Sequence, residues 1–309
     1  MITLERNSLV VRFPEVHEDA GLRISFQRTL RIPDDGRDYP LPPGFGGFPL
    51  HHVEDHAGKL PAAWLKRGGV FLPMYQSEAL WLNFDSLSEY PIALQIGAGK
   101  INAVSGEPWD ENMQRDPQGY VVAPDQPWLD GFCVEKGRIR QFVAAPLGKR
   151  VTVEEQLTGE AEFGGIQIKA WPLKASVYEQ LQRERSRFDE HSVCYEPIKQ
   201  CVSMDMGLGM GGSMKQEIYD DAFEAGDWDT HFSSRCFVSL LNSTAYANVT
   251  GHLPPHRPYE AADYAAAGLP WFDYYSDREA LQGSERFEGL KTWQDFAGED
   301  LDGFTADDI

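Results

Sequence analysis

The 309-residue sequence predicts an α+β fold that is predominantly antiparallel β, with many short strands, a few peripheral helices and two packed β-rich units. Three observations predict it. Short runs of β-branched and aromatic residues recur along the whole chain. The 29 glycines and 20 prolines fall between those runs instead of collecting in one linker, which is the punctuation of many tight turns. Helical periodicity is confined to a few segments. With 42% hydrophobic and 12% aromatic residues, the chain can fill a large core, which excludes disorder throughout.

The strand series opens at 9–13 and continues at 22–32. Within Ile24-Ser25-Phe26-Gln27-Arg28-Thr29-Leu30-Arg31-Ile32 the alternation is clear at first and then slips, so one buried face and a bulge are expected there. Further strands are expected at 70–72, 80–84, 92–96, 101–104, 120–123, 138–144, 166–171, 214–219 and 236–242. Helix signals are fewer. Thr152-Val153-Glu154-Glu155 is a capping-box pattern with Gly159 as its stop, and residues 174–188 place Val177, Leu181 and Phe188 on one face. Pro258 opens an alanine-rich helix over 259–267, stopped by Gly268 with Pro270 beyond it. Ser276-Asp277-Arg278-Glu279 is a second capping box, ended by Gly283. The expected organisation is a β-rich unit over 1–173, a helical connection over 174–190, a second β-rich unit with C-terminal helices over 191–291, and an acidic tail over 292–309. Two short echoes suggest a duplicated β-unit: Asn102-Ala103-Val104-Ser105-Gly106 with Ala247-Asn248-Val249-Thr250-Gly251, and Gly137-Arg138-Ile139-Arg140-Gln141 with Gly212-Ser213-Met214-Lys215-Gln216.

Twenty-eight basic against 48 acidic side chains give a net charge of −20 and a pI near 4.7, which argues against a nucleic-acid partner bound by phosphate neutralisation. The imbalance is uneven. Residues 1–150 carry 16 basic and 19 acidic side chains, a net −3, whereas 151–309 carry 12 and 29, a net −17. From Thr292 onward there are six acids and no Lys or Arg, the composition of a solvated tail. No apolar run reaches the roughly 18 to 20 residues that cross a bilayer, and the first residues, with Glu5, Arg6 and Arg12 around a short apolar patch, do not read as a secretory signal. Cys133, Cys194, Cys201 and Cys236 include no CxxC pair, so reduced thiols and a cytoplasmic location are expected, with no membrane partner.

The blocks RTLRIPDDGRDYPLPPGFGGFPL (28–50), GGVFLPMYQSEALWLNF (68–84), PWLDGFCVEKGRIRQFVAAPLG (127–148) and GLPWFDYYSD (268–277) resemble a group of uncharacterised bacterial and fungal proteins over most of the chain. The resemblance implies no activity, cofactor or site residue. Some members carry a membrane-protein label, with which the lack of a spanning segment is at odds.

Candidate chemistry comes from four patterns. His51-His52-Val53-Glu54-Asp55-His56 offers imidazoles and carboxylates for a divalent metal, with His52 and His56 on one face if the segment is helical; His51, His52 and His56 are the candidate ligands. It lacks the HExxH order. His252 and His256 repeat the spacing across two prolines and would complete a four-nitrogen site only if the two pairs met. Gly207-Leu208-Gly209-Met210-Gly211-Gly212 satisfies GxGxxG, but a strand-like segment follows it where a helix should, so a hairpin or site-edge loop is expected there and not a pyrophosphate cradle. Three Pro-Trp pairs precede an aspartate, at Trp109, at Trp128 with Asp130, and at Trp271 with Asp273. An indole face beside a carboxylate suits a sugar ring or a cationic ligand, and equally a core anchor after a turn. These five residues are the ligand-site candidates. There is no GxSxG elbow, lactamase set or kinase series, and Cys194 near His191 is no oriented dyad, so no catalytic residue is assigned. The expected function is a soluble intracellular binding or assembly protein that recognises a protein partner or small ligand through an aromatic, acid-rimmed surface, with a metal-assisted hydrolase at the histidine cluster as the alternative.

Overall fold

The computed structural model describes residues 1–160, 162–188, 208–270 and Leu290. In chain order the strands are β1 (Ile2–Glu5), β2 (Ser8–Arg12), β3 (Gly21–Thr29), β4 (Asp38–Tyr39), β5 (Gly44–Gly47), β6 (His51–His52), β7 (Val70–Met74), β8 (Ala79–Ser86), β9 (Ile92–Ala98) and β10 (Ile101–Asn102). They continue as β11 (Val121–Ala123), β12 (Trp128–Leu129), β13 (Gly131–Glu135), β14 (Arg138–Ala144), β15 (Ile166–Pro172), β16 (Leu208–Met214) and β17 (Ser234–Asn242). The helices are α1 (Ala62–Arg67), α2 (Val153–Thr158), α3 (Ala175–Phe188), α4 (Ser243–Thr250) and α5 (Ala261–Ala266). The fold is α+β and dominated by β, as the turn punctuation predicts.

Two sheets carry the architecture. The first runs β1-β2-β3-β8-β14-β16-β4, with β5 beside β3, β12 beside β8 and β13 beside β14. The second runs β10-β9-β15-β17-β7-β6, with β11 beside β9. Pairing is antiparallel except for β16 with β4 and β17 with β7. The β1–β2 hairpin turns on Arg6 and Asn7, both left-handed, the geometry that matches strand twist in a two-residue loop. Inward residues of both sheets, such as Leu22, Ile24, Leu82 and Phe142 from the first and Leu72, Leu94, Ile168 and Val238 from the second, belong to one continuous apolar core. Each such side chain contributes about 1.5–3 kcal/mol on burial, and together they hold the sheets face to face. A second, smaller cluster of Phe71, Leu241, Tyr246 and Val249 lies where α4 meets β7 and β17, with Trp64 and Leu65 of α1 against it.

Several elements differ from expectation for identifiable reasons. The strand expected at 214–219 lies earlier, at Leu208–Met214, so Gly209, Gly211 and Gly212 of the glycine-rich run belong to a strand paired with β14 where a loop is expected, while Gly207 lies outside the described residues. A side chain at Gly212 would collide with the carbonyl of Pro33, so glycine there lets residues 32–33 cross the strand closely. The slip in β3 has two parts: its register with β5 shifts between Gln27 and Thr29, and Arg28, in register with Leu80, continues the inward set of Ile24 and Phe26 where an apolar residue is expected. The 102–106 and 247–251 echo is not structural, since the first is a strand end and turn and the second lies in α4. The other echo brings its members together, Ile139 opposite Met214 and Arg140 opposite Ser213. The Thr152 capping box and the Gly159 stop of α2 form as expected. The alanine-rich helix is shorter, Ala261–Ala266, because Glu260 and Asp263 make the capping box that sets its start. On either side of α3 the chain enters both sheets, β16 joining the first and β17 the second. Cys194, Cys201, the box at 276–279 and the tail at 292–309 lie outside the described residues.

Candidate functional site

Of the described ligand candidates, Trp109 lies against the second sheet, and Trp128 and Asp130 lie on the first. Trp109 packs its indole on Gly97 of β9, where an added Cβ would sit 2.6 Å from the ring, and donates Nε1–H to Glu111. It serves as a cover for the second sheet. Trp128 lies on the first sheet, 6.3 Å from Trp81 between ring centroids, and its side chain hydrogen-bonds the fully buried carboxyl of Asp130. Burial drives the Asp130 pKa well above the ordinary carboxylate range. Asp130 Oδ1 and the Trp81 indole nitrogen are both buried without a hydrogen-bond partner among the described residues. Trp271 and Asp273 lie outside the described residues.

The histidine cluster is split by strand alternation. His51 and His52 form β6 and point to opposite sides, while Glu54–His56 make a 3-10 turn and not the helix that would align His52 with His56. His51 instead meets His56, with ring centroids 5.8 Å apart, stacks on Phe71, and hydrogen-bonds the Tyr246 hydroxyl at 2.8 Å. Burial lowers its pKa, with His56 adding to the effect. His252 is exposed, whereas His256 packs against Phe48, its Nε2 without a partner among the described residues. Among the described residues no group of three or more His, Cys, Asp or Glu side chains could hold a metal ion.

What the fold does shape is a cleft of about 290 Å³ where β8 begins and β14 and β17 end. Trp64, Leu147, Phe163 and Leu240 make it apolar, Gln76 and Asn242 supply amides, and Glu162 stands with them at the wall. Its two loop walls are each pinned by one carboxylate of α2. Glu155 Oε1 accepts from the backbone of Gly148 at 2.8 Å and of Arg150 at 3.0 Å, and its Oε2 accepts from Thr152 Oγ at 2.7 Å. Glu154 takes the other wall, accepting from Gly164 N at 2.8 Å and Phe163 N at 3.3 Å, while burial pushes its pKa up. Both carboxylates are buried. Four backbone donors that would otherwise leave the loops free are thereby satisfied inside the protein. Asn242 Oδ1 is spent on capping α4 at 2.7 Å, whereas the Gln76 amide makes no hydrogen bond among the described residues. Glu162 pairs with Lys100, which also reaches Glu160 at 3.0 Å, so the rim carries both signs.

A second constellation escaped sequence reasoning. At the end of the inter-sheet core Arg28 donates Nε–H to Glu78 at 2.7 Å and also through Nη2, while Tyr75 N donates to the other carboxylate oxygen at 3.2 Å. Burial pushes the Glu78 pKa up to about 7 against the pull of Arg28. Residues 256–264 strap over this pair: Tyr259 faces the Arg28 guanidinium at 4.4 Å, Arg28 reaches the Arg257 carbonyl at 3.0 Å, and Tyr75 donates to the His256 carbonyl at 2.9 Å. Burial and Arg28 hold the His256 pKa down at about 3, and the Tyr259 hydroxyl has no partner among the described residues. The one trace in the sequence is the slipped alternation at Arg28. The thiols Cys133 and Cys236 are unpaired, and burial raises both pKa values, that of Cys236 to about 12. No helix among the described residues is long and apolar enough to cross a membrane. Comparison of the chain with family models, with curated proteins and with solved structures returned no match.

Proposed function

We propose that the protein is a binding protein that holds an apolar or aromatic group of a small ligand in the Trp64–Phe163–Leu147 cleft. The observation that carries this reading is the pinning of both cleft walls by Glu154 and Glu155, because a cavity between braced loops keeps its shape when empty. The aromatic lining and the Glu162 carboxylate support the reading of an aromatic surface edged by acid, made by residues other than those singled out in the sequence. Gln76 provides the orienting amide. The unpaired Cys133 and Cys236 accord with action in a reducing compartment such as the cytoplasm.

The test uses N-phenyl-1-naphthylamine, an uncharged fluorescent probe. Saturable binding of one probe per chain is expected, weakened at least tenfold in Trp64→Ala and in Leu147→Asp. The absence of saturable binding, or equal binding in both variants, would rule the cleft out.

A further inference from the structure

A second cleft, of about 310 Å³, opens beside β1, β6 and the start of β17 and differs from the first in its chemistry. Thr3, His52, Glu54, Arg67, Arg235 and Phe237 are among its lining residues. The two arginines against one glutamate make it formally positive in a chain whose net charge is −20. His52, a metal-ligand candidate by its place in the histidine cluster, faces this cleft because strand alternation turns its side chain away from His51.

Arg67 is the unusual member. It is half-buried, and among the described residues no carboxylate lies within ion-pair distance of it. Its hydrogen bonds there are long ones to backbone carbonyls, Nε to Ala63 at 3.3 Å and Nη1 to Phe163 at 3.4 Å. Of the five guanidinium N–H groups, the remaining three have no partner among the described residues. The group lies against two aromatic rings, its Cζ 4.9 Å from the Phe163 centroid and 5.7 Å from that of Phe237, and the two ring planes are within 9° of parallel with centroids 6.4 Å apart. Arg235 lies over the same Phe237 at 4.6 Å and pairs with Glu111, a carboxylate it shares with Lys169. A guanidinium set against two aromatic rings, partly desolvated and short of acceptors, is prepared for a planar or tetrahedral oxyanion, which can take two of its N–H groups at once. The volume falls at the lower end of the range for small-molecule sites.

We propose that this cleft binds a small organic anion through a carboxylate or phosphate group held by the free edge of Arg67, with Arg235 at the mouth. This cleft adjoins the apolar one through Phe163, which lines the apolar cleft and backs Arg67, but it takes a different class of ligand.

The experiment follows the melting temperature and heat of binding of the full chain with inorganic phosphate and with succinate, each against sodium chloride at equal ionic strength. A saturable stabilisation by one or both is expected, and which of the two acts distinguishes a phosphoryl from a carboxylate ligand. Arg67→Gln should weaken that binding at least tenfold, Arg67→Lys should fall between, and Arg183→Gln, at an exposed helix pair, should change nothing. Should Arg67→Gln fail to fold, the amide resonances of Val70 and Cys236 in the unaltered protein should shift with the same saturation curve. Stabilisation no greater than that of chloride, unchanged affinity in a folded Arg67→Gln, or saturation without shifts at Val70 and Cys236 would overturn the proposal.

Discussion

Arg28 and Glu78, fifty residues apart, form an ion pair inside the end of the core, where Arg28 of β3 reaches the residue just before β8 and Phe48 and Tyr259 cover the pair. Above pH 7, where Glu78 is ionised, removing one partner of such a pair strands a charge in apolar surroundings, so at about pH 8.5 Arg28→Met and Glu78→Leu should each destabilise the fold by about 3–5 kcal/mol. The double variant should cost markedly less than the sum of the two. Urea unfolding of all four proteins measures the coupling, and strict additivity would show that the two side chains do not stabilise each other.

The same region sets a pH dependence. Glu78 keeps its proton in the folded state up to about pH 7, while the unfolded chain releases it near 4.5, so its contribution is lost as pH rises between those values. His256 has the opposite sign: folded, it stays neutral down to about pH 3, while the unfolded chain takes up a proton near 6.5, so stability is lost as pH falls. From pH 4.5 to 6.5 the two slopes cancel. Of these two contributions, that of His256 alone is lost below 4.5 and that of Glu78 alone from 6.5 to 7. With unfolding curves taken at half-unit steps, as differences between the unaltered protein and each variant, His256→Gln should isolate a contribution lost as pH falls from 6.5 to 3, and Glu78→Gln one lost as pH rises from 4.5 to 7. A difference that is flat over its own range would reassign that contribution.

Much of the scaffold was legible because it rests on local signals. Short β-type runs mark β8, β9, β14 and β15, and the Thr152 and Gly159 punctuation marks α2. The site was not legible, for a physical reason. Glu154 and Glu155 look like ordinary acids of a helix first turn, and their role depends on two loops, one before the helix and one after it, folding back onto α2. Arg67 ends a six-residue helix and could be read only as a solvated charge until Phe163 and Phe237 are seen against it. Short strands such as β4, β5 and β6 depend on partners distant in sequence and leave no periodicity to detect. Trp128 and Asp130, near neighbours in sequence, meet in the fold, with the Asp130 carboxyl fully buried and Trp128 partly exposed.

Loss of Glu155 should affect stability and the cleft together. Its carboxylate satisfies three backbone N–H groups and the Thr152 hydroxyl, and Glu155→Ala leaves them without acceptors, at a cost of about 1–3 kcal/mol. Glu154→Ala frees the opposite wall at Phe163 and Gly164. Each variant should weaken naphthylamine binding, and each should raise amide exchange only in its own loop, 148–152 for the first and 163–165 for the second. Exchange rising equally in both loops would mean that α2 unravels as a unit and does not brace the walls separately.

Asp130 offers a sharper test of burial. Extending the β8–β12 register by one step places it opposite Trp81, so an unpartnered indole nitrogen and an unpartnered carboxyl oxygen face the same side of the first sheet. With the carboxyl fully buried, the folded state holds its proton at a pH where the unfolded chain has already released it near 3.8. The stability of the unaltered protein relative to Asp130→Asn should therefore be greatest at low pH and decline as pH rises above that value, at about 1.4 kcal/mol per pH unit until the folded carboxyl itself ionises. The loss of the oxygen and the gain of an amide shift the whole difference up or down but cannot give it a slope. Measured by denaturant unfolding at pH 4, 6 and 8, a difference that does not vary with pH would mean that the carboxylate is ionised in the fold and that Trp128 alone stabilises its charge.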